Sequence, residues 1–512
     1  MFDIILQGFL EDVRGALPTG EWQAMYPEII ILLFALLAPL VALGNTDRKG
    51  MQMFAAIGVG GAFFMTLASV FDYAVGPFSW QYVGASLFGG VYEVTLASQL
   101  FKTIFLGVAF LAIIGMGRVL RGDVEEDWGE FYSLILFATL GMMVVASATE
   151  LMTLFIGIET ASLCSYLLAA FHRDRIGGEA SLKYFSFGAV ASGLTLFAIS
   201  LIYGAAGTTR IPELASVFVS GNEFDGLSTI AIVLLLGGLG FKISSVPFHL
   251  WSPDVYHGAP APVAGMLATA SKAMGFAAVF NIFLVGLVGV KSNWELAVAL
   301  IATVTMVVGN FVAIQQTSLR RMLAYSSVAQ AGYLLIALAV GTWFAVGAGI
   351  LHLFVNAAMK LGAFLIVGAL ITYGLGDHLA GYRGLGKRAP FLAFAMAIFL
   401  FSMAGLPPFG GFTSKFILFS SAVDVGVVDQ LGWLLWLAVF AVLNSAVSLV
   451  YYVRVIRTMY VEKADDDAPR LDVGSGTTFA VGVCLALVLM VGVWPQWFID
   501  QAMLAAQAML AP

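Results

Sequence analysis

The sequence predicts an all-α protein that crosses a membrane about fourteen times. Of its 512 residues, 60% are hydrophobic and only 11% are charged, and the mean hydropathy is +0.95. Soluble domains carry about 25% charged residues, so this composition does not fit a water-soluble fold. A helix needs about 20 mostly apolar residues to span a bilayer, and we find fourteen runs of that kind along the chain.

The predicted helices follow one another in order. Numbered 1 to 14 along the chain, they are Tyr26–Gly44, Met51–Val70, Leu100–Val119, Phe131–Ala148, Glu150–Phe171, Leu182–Tyr203, Ser228–Trp251, Ala261–Leu287, Trp294–Ile314, Met322–Val340, Trp343–Tyr373, Phe391–Val423, Leu431–Tyr452 and Thr478–Trp494.

The loop charges give an independent test of this count, because cytoplasmic loops of membrane proteins collect Lys and Arg. One set of alternate loops holds Arg48, Lys49, Arg118, Arg121, Arg173, Arg175, Arg320, Arg321, Arg383, Lys387, Arg388, Arg454, Arg457, Lys463 and Arg470. The opposite set holds only Arg14, Arg210 and Lys291. The first set is therefore predicted to be cytoplasmic, with both termini on the other side.

Two of the predicted helices contain prolines that interrupt them. Helix 7 contains Pro247, five residues after Lys242, and the long helix 12 contains Pro407 and Pro408. Proline removes a backbone donor and breaks a helix, and irregular backbone at membrane depth is tolerated where it is buried in protein or lines a cavity. Broken helices in the two halves of a transporter often mark its ion site.

The two breaks are five helices apart, which divides the chain into units. We predict an N-terminal part with helices 1–3 (residues 1–130), a five-helix unit with helices 4–8 (131–290), a second five-helix unit with helices 9–13 (291–460), and a C-terminal loop with helix 14 (461–512). Because five is an odd number, the second unit runs in the opposite direction through the membrane. The two units therefore form an inverted repeat.

Four charged residues lie well inside the apolar runs: Glu159, Lys242, Lys272 and Lys415. A charge at the centre of a membrane helix costs roughly 3 kcal/mol on the insertion scale, and such residues by default mark ion or proton pathways. Burial disfavours the charged form of a lysine, whereas a nearby carboxylate favours it. A row of such groups can therefore pass protons, although the same residues could instead serve only as structural counter-charges.

Helix 11 adds a polar stripe in which His352, Asn356 and Lys360 are spaced by four residues and so share one face. His352 and Lys360 either extend the proton path or bond to backbone carbonyls freed by the breaks. Lys102 and Lys183 lie near helix ends, where lysine side chains can snorkel to the membrane surface.

The chain contains no motif for a redox cofactor or a nucleotide. It has no GxGxxG or Walker loop, no CxxC pair and no convincing helix histidines for haem. The two cysteines, Cys164 and Cys484, are separated by most of the chain and are interpreted as packing residues. The net charge of −7 indicates no nucleic-acid partner. The energy for transport must therefore come from a gradient or from a partner.

Three segments resemble the antiporter-like membrane subunits of respiratory complex I. They are GFKISSVPFHLWSPDVYHGAPAPV (Gly240–Val263), RMLAYSSVAQAGY (Arg321–Tyr333) and AGLPPFGGFTSKF (Ala404–Phe416). The motif PDVYHGAP is most similar to the motif at this place in the subunit N members of the family. The resemblance extends from about Phe131 to Arg457. At Ala261 and Ala264 the chain departs from the family, whose members more often carry threonines there.

The resemblance implies a proton-translocating subunit of NADH:quinone oxidoreductase in a bacterial inner membrane. By resemblance, Glu159 would pair with Lys242, Lys272 would be a central lysine, Lys415 a terminal one, and Lys183 a further relay lysine. FMN, iron-sulfur clusters and quinone would belong to partner subunits. The partners would be other membrane subunits of complex I, including further antiporter-like ones, the peripheral redox arm, and lipids.

Three alternatives remain at this point. The chain could belong to a multi-subunit Na⁺/H⁺ antiporter of the Mrp type, or to a ferredoxin-linked complex that reduces plastoquinone. It could also be a structural scaffold, which would need no change in protonation.

Overall fold

The computed structural model of the chain describes residues 21–44, 47–75, 83–116, 127–219, 226–463, 470–471 and 473–510. Within these ranges, fourteen helices are long and apolar enough to cross a membrane, so the predicted number of spans is confirmed. Three of the basic loop residues used in the topology prediction, Arg14, Arg118 and Arg121, lie outside the described ranges.

The spanning helices keep the order that the sequence predicts. They are α1 (Tyr26–Ala42), α2 (Arg48–Val75), α3 (Leu96–Gly115), α4 (Trp128–Ser147), α5 (Leu151–Ala169), α6 (Arg175–Ala206), α7 (Gly226–Ile243 and Trp251–Gly258), α8 (Ala261–Gly286), α9 (Lys291–Gln315), α10 (Leu319–Val340), α11 (Trp343–Thr372), α12 (Pro390–Ala404 and Gly410–Val428), α13 (Gly432–Tyr460) and α14 (Ser475–Val493).

Smaller elements lie between and after the spans. A hairpin of β1 (Ala85–Leu87) and β2 (Tyr92–Val94) joins α2 to α3. Short helices cover Ile211–Val219 and Leu385–Arg388, and α15 (Gln496–Leu510) follows the last span. Single turns of 3-10 helix occur at Glu21–Met25, Val288–Val290 and Leu379–Tyr382.

Helices α7 and α12 are both broken, as the prolines predict. The two parts of α7 are separated by residues 244–250, and those of α12 by residues 405–409. Carbonyls freed at the α7 break find new donors: Trp251 Nε1 donates to Phe241 O at 3.0 Å, and Ser245 N donates to Gly240 O at 2.9 Å. The breaks therefore keep their backbone groups bonded inside the protein, as an apolar environment requires.

Helix α8 has an irregularity that the sequence did not predict. Two stretches are π-helical, Leu267–Ser271 and Asn281–Gly286, and the α-helical segment between them starts at Lys272. Single π turns inside α-helices are rare and often occur at functional sites. Lys272 therefore lies at a junction between two backbone geometries.

The helices differ in how far they are buried. Helices α8, α10 and α11 are buried over most of their length, whereas α1, α6 and α13 expose large apolar side chains. In a membrane protein the exposed face is apolar because it meets lipid. The core of the molecule is therefore the α8–α10–α11 region, where Lys272, His352 and Lys360 lie.

Ion pairs at one end of the bundle agree with the predicted topology. Arg173 forms an ion pair with Asp127, and Arg321 forms an ion pair with Asp254. Near them, Arg320 lies 3.5 Å from Asp377. These contacts join loops that the charge pattern assigns to one side, which we name the basic face. Arg210 instead bonds to the β1–β2 hairpin at the opposite face, with Nη2 2.7 Å from Gly89 O. The inverted relation between the two five-helix units stays a prediction.

Candidate functional site

Glu159 on α5 and Lys242 on α7 lie close together but do not form the direct pair that the resemblance implies. Glu159 is half-buried and accepts a hydrogen bond of 2.5 Å from the hydroxyl of Ser192 on α6. Lys242 is buried and donates to the hydroxyl of Ser162, which lies one turn from Glu159 on α5. Its ammonium also lies 5.8 Å from the centre of the Tyr166 ring. Ser162 thus takes the position expected of the carboxylate.

Lys272 on α8 is buried and reaches across to the second half of the chain. Its Nζ donates to the backbone carbonyl of Ser327 on α10 at 2.8 Å. One turn further along α8, a Cβ built on Gly275 would lie 3.4 Å from the Cβ of Lys242. Glycine at this position lets α8 approach α7 closely, which brings the helices of the two lysines together.

Lys360 on α11 is completely buried, with no exposed side-chain surface. Its Nζ donates to Leu323 O on α10 at 2.9 Å and to the hydroxyl of Ser326, which in turn is 2.6 Å from the hydroxyl of Tyr452 on α13. Leu323 lies one turn before Ser327 on α10, so Lys360 is bonded to the turn next to the one that holds Lys272.

His352, two turns before Lys360 on α11, continues the line toward α12. Its Nε2 is 2.9 Å from Gln330 Oε1, and its Nδ1 is 2.9 Å from the hydroxyl of Ser414. Gln330 uses its amide nitrogen to donate to Met403 O at 3.3 Å, so its oxygen faces His352 and accepts from Nε2–H. In neutral His352 the other nitrogen is then an acceptor for the Ser414 hydroxyl.

Lys415 completes the line at the break of α12. Its Nζ donates to Met403 O at 2.7 Å and to Ser445 Oγ on α13 at 3.1 Å, and it lies 4.4 Å from the centre of the Tyr333 ring. Gln330 and Lys415 share the Met403 carbonyl. Gly405 has a φ of +85°, and a Cβ there would lie 3.2 Å from Cδ of Lys415, so the break supplies both the acceptor and the space for this lysine.

We name the residues of these contacts the central axis, all of them buried except the half-buried Glu159: Glu159, Ser162, Lys242, Lys272, Ser327, Lys360, Ser326, Gln330, His352, Ser414 and Lys415. An amine can hold or release a proton, and hydroxyl, imidazole and amide groups can pass hydrogen bonds between amines. Within the described part of the chain, no group of three or more potential metal ligands comes together. The chemistry that the axis supports is proton transfer.

Two further lysines lie outside the central axis. Lys183 lies at the basic face with 40% of its side chain exposed, and it pairs with Glu179 at 2.7 Å and with Asp254 at 2.8 Å. It does not contact the central axis. The prediction that Lys102 snorkels is wrong, because its side chain is fully buried and pairs with Glu28 at 2.9 Å.

The sequence interpretation missed the serines and the glutamine of the central axis. Ser326, Ser327 and Gln330 lie in the segment RMLAYSSVAQAGY, which was noted for its resemblance but not for its polar side chains. Ser162 lies three residues after Glu159, a spacing that places both on one face of a helix. Together with Ser414, which precedes Lys415, these are five polar residues in otherwise apolar spans, and they were a usable signal.

The fold and the central axis define a class of polytopic membrane proteins that hold buried amines at the breaks of their helices. Residues 148–445 match the family described as NADH:quinone oxidoreductase/Mrp antiporter, transmembrane. This match covers more than half of the chain. The chain belongs to that family, and the resemblance predicted from its three segments is confirmed.

Relatives match over nearly the whole length. The chain is 40% identical to the F(420)H(2) dehydrogenase subunit N of Methanosarcina mazei, over 96% of this chain and 99% of the relative. It is 37% identical to the NADH-quinone oxidoreductase subunit N of Trichlorobacter lovleyi, over 97% and 99%. Among solved structures, a chain of respiratory complex I from Thermus thermophilus aligns with a TM-score of 0.76 and 30% identity, over 93% and 98%.

Proposed function

We propose that the chain is the proton-translocating subunit N of an NADH:quinone oxidoreductase in a bacterial inner membrane. Protons cross the membrane along the central axis while electrons move in partner subunits. FMN, iron-sulfur clusters and quinone belong to those partners, which include other membrane subunits, some of them antiporter-like, and the peripheral redox arm. Full-length relatives carry the name subunit N, which supports this assignment over a separate Na⁺/H⁺ antiporter.

One observation carries the proposal. Among the described residues, no carboxylate oxygen lies within 4 Å of the Nζ of the four axis lysines, Lys242, Lys272, Lys360 and Lys415. A lysine kept as a structural counter-charge needs a carboxylate in contact, because an unpaired buried charge is strongly destabilising. These lysines are bonded instead to hydroxyls and carbonyls, which accept from an amine as well as from an ammonium. They are therefore free to change protonation state.

The axis also supports a division of roles. Glu159 lies one turn from Ser162, whose hydroxyl accepts from Lys242, so movement of the carboxylate toward Lys242 would favour the charged form of the lysine. Lys272 and Lys360 bond to neighbouring turns of α10, and His352 with Gln330 connects that helix to Lys415. Lys183, at the basic face with two carboxylates, is suited to supplying protons and not to relaying them at depth.

One specific observation supports an alternative electron donor, in place of NADH, for the complex that contains this chain. The relative at 40% identity is named as a subunit of F(420)H(2) dehydrogenase, so a similar subunit belongs to an enzyme named for another electron donor. Membranes that contain this protein, supplied in turn with NADH and with reduced F420, distinguish the two cases. Proton uptake driven by reduced F420 and not by NADH would change the donor but not the role of this chain.

Lys242 gives the sharpest test of the role itself. Arginine keeps the positive charge but has a pKa above about 12 and cannot release a proton under working conditions. In the assembled complex, we expect Lys242→Arg to lower proton uptake per NADH as severely as Lys242→Met. Sealed vesicles provide the measurement, and native gels check assembly. Normal pumping by the arginine variant would show that Lys242 is only a fixed charge.

Lys291 offers a matched control. It also donates to a backbone carbonyl, Val340 O at 2.6 Å, but it lies at the start of α9 outside the central axis. Lys291→Arg should leave proton uptake per NADH unchanged. A loss equal to that of Lys242→Arg would mean that the assay reports damage to the fold.

A further inference from the structure

A second cluster of buried ionisable side chains lies outside the central axis, in the three N-terminal helices. Lys102 on α3 pairs with Glu28 on α1, with 2.9 Å between Nζ and Oε1, and their side chains are 0% and 3% exposed. The same Nζ donates to the hydroxyl of Tyr92 on β2 at 3.1 Å and lies 5.1 Å from the centre of its ring. We name these three residues the N-terminal triad.

The bonding of the triad is incomplete. The Oε2 of Glu28 is buried and has no hydrogen-bond partner among the described residues, and the same holds for Oε1 of Gln99, one turn before Lys102 on α3. A buried ion pair is stabilising only when its remaining lone pairs are satisfied. The unbonded oxygen is an atom at which a carboxylic acid could carry its proton.

The triad lies at the face opposite the basic face, close to the end of the first five-helix unit. Tyr92 forms a β-bridge with Ala148, and Asn281 on α8 donates to Ala148 O at 2.7 Å. Asn281 follows Lys272 by nine residues, or about 13.5 Å at 1.5 Å per residue. Helix α3 packs directly against α8. The triad therefore lies beside the helix of Lys272, on the way to the outer surface.

We propose that Glu28 and Lys102 form a proton-release site on the outer side of the membrane, at which protons that leave Lys272 pass to water. The proposal rests on the proton-translocating function proposed above. In the release step an N–H bond of the Lys102 ammonium breaks and an O–H bond forms on Glu28, which leaves a neutral amine beside a neutral acid. Glu28 then gives the proton to outer water, and the Lys102 amine takes the next one from the axis. Tyr92 is a positioning residue that holds Nζ through its hydroxyl.

Two variants separate a proton-release site from a clamp. Lys102→Arg keeps the ion pair with Glu28 but cannot release a proton. The double variant Glu28→Met/Lys102→Met removes both charges together, and replacing a whole buried pair by apolar side chains is often neutral for stability. In the assembled complex we expect both to lose proton uptake per NADH to the extent seen in Lys242→Arg, while NADH oxidation in uncoupled vesicles continues.

Tyr92→Phe adds a measurement, the pH dependence of proton uptake, that would not change if the triad were only a structural clamp. It keeps the ring over Lys102 and removes the hydroxyl, so we expect proton uptake to fall with a changed dependence on pH and with unchanged assembly. Normal uptake by the double Met variant would overturn the proposal, as would normal uptake by Lys102→Arg. Failure of both to assemble would also overturn it, in favour of a structural clamp.

Lys242→Arg, measured in the same vesicles, distinguishes this proposal from the proposed function. If the Lys242→Arg variant pumps normally, the proposed proton relay through this chain is wrong as a whole. If Lys242→Arg loses pumping while the triad variants pump normally, only the release site is wrong.

Discussion

Lys272 on α8 donates a hydrogen bond of 2.8 Å to the carbonyl oxygen of Ser327 on α10, so a lysine of the first five-helix unit is bonded to a helix of the second. Lys360 bonds to Leu323 O, one turn earlier on α10. Two ammonium groups held on neighbouring turns of one helix repel each other, because like charges interact strongly in a low-dielectric interior. Under the proposed function, helix α10 would be the place where a proton arriving in one half drives a proton onward in the other.

The first prediction asks whether Lys272 relays protons or only bonds to α10. Lys272→Gln keeps an N–H donor for Ser327 O but has neither charge nor a titratable proton. If Lys272 relays protons, the variant should lower proton uptake per NADH as much as Lys272→Met, with normal assembly. Lys291→Gln, at a lysine with the same type of carbonyl contact outside the axis, should have no effect. Full pumping by Lys272→Gln would assign Lys272 a structural role.

The sequence predicts the helices and the buried charges because both depend on local composition. Apolar runs of sufficient length locate the fourteen spans, and Pro247 and Pro407 locate the two breaks. Lysines inside such runs are visible without any knowledge of packing. The positions of Lys242, Lys272 and Lys415 in the core therefore follow from the chain alone.

The partners of these charges could not be predicted, because they come from helices distant in sequence. Lys102 lies two turns inside α3, where it looked able to reach the surface, but α1 and the β1–β2 hairpin cover it with Glu28 and Tyr92. The pair of Glu159 with Lys242 was expected from the resemblance, yet Lys242 donates to Ser162 and Glu159 accepts from Ser192. The π turns of α8 break no periodicity that a sequence pattern shows, since most residues in and around them are apolar or small.

The second prediction concerns the glycine at the α12 break. Gly405 has a φ of +85°, and any Cβ there would lie 3.2 Å from Lys415 Cδ. Left-handed backbone costs an L-residue about 1–2 kcal/mol, so Gly405→Ala should destabilise the protein by about that amount and displace Lys415. Thermal unfolding of the purified complex and proton uptake in vesicles measure the two effects. Gly193→Ala on α6, where a Cβ would meet nothing within 4 Å, should cause neither.

The third prediction concerns pH and a carboxylate at the basic face. Burial alone would raise the pKa of Asp377, but the hydrogen bond with His257, the charge of Arg320 and the hydroxyl of Ser318 together lower it below its usual value. A lowered native pKa contributes stability above the unfolded pKa of about 3.9, and that stability is lost as the pH falls through the native pKa.

Asp377→Asn should therefore destabilise the protein near neutral pH by about 2 kcal/mol, the typical value of a hydrogen bond to a charged group. The difference from the parent should shrink as the pH is lowered below about 4. Thermal unfolding of the complex across this pH range provides the measurement. Asp429→Asn changes an exposed loop carboxylate with no ion pair among the described residues, and serves as the control. A difference that stays constant down to low pH would contradict the linkage.

The last prediction tests the orientation on which the direction of transport depends. Lys49 and Arg457 are exposed at the basic face, whereas 46% of the Arg210 side chain is exposed at the opposite face. Because basic loops face the cytoplasm, single cysteines at Lys49 and Arg457 should react with an impermeant thiol reagent only from the cytoplasmic side. A cysteine at Arg210 should react only from the other side. The background must lack Cys164 and Cys484, which lie within α5 and α14. Labelling of Arg457→Cys and Arg210→Cys from the same side would require a different number of spans between them, and labelling of Arg210→Cys from the cytoplasmic side would place the N-terminal triad where it could not release protons outward.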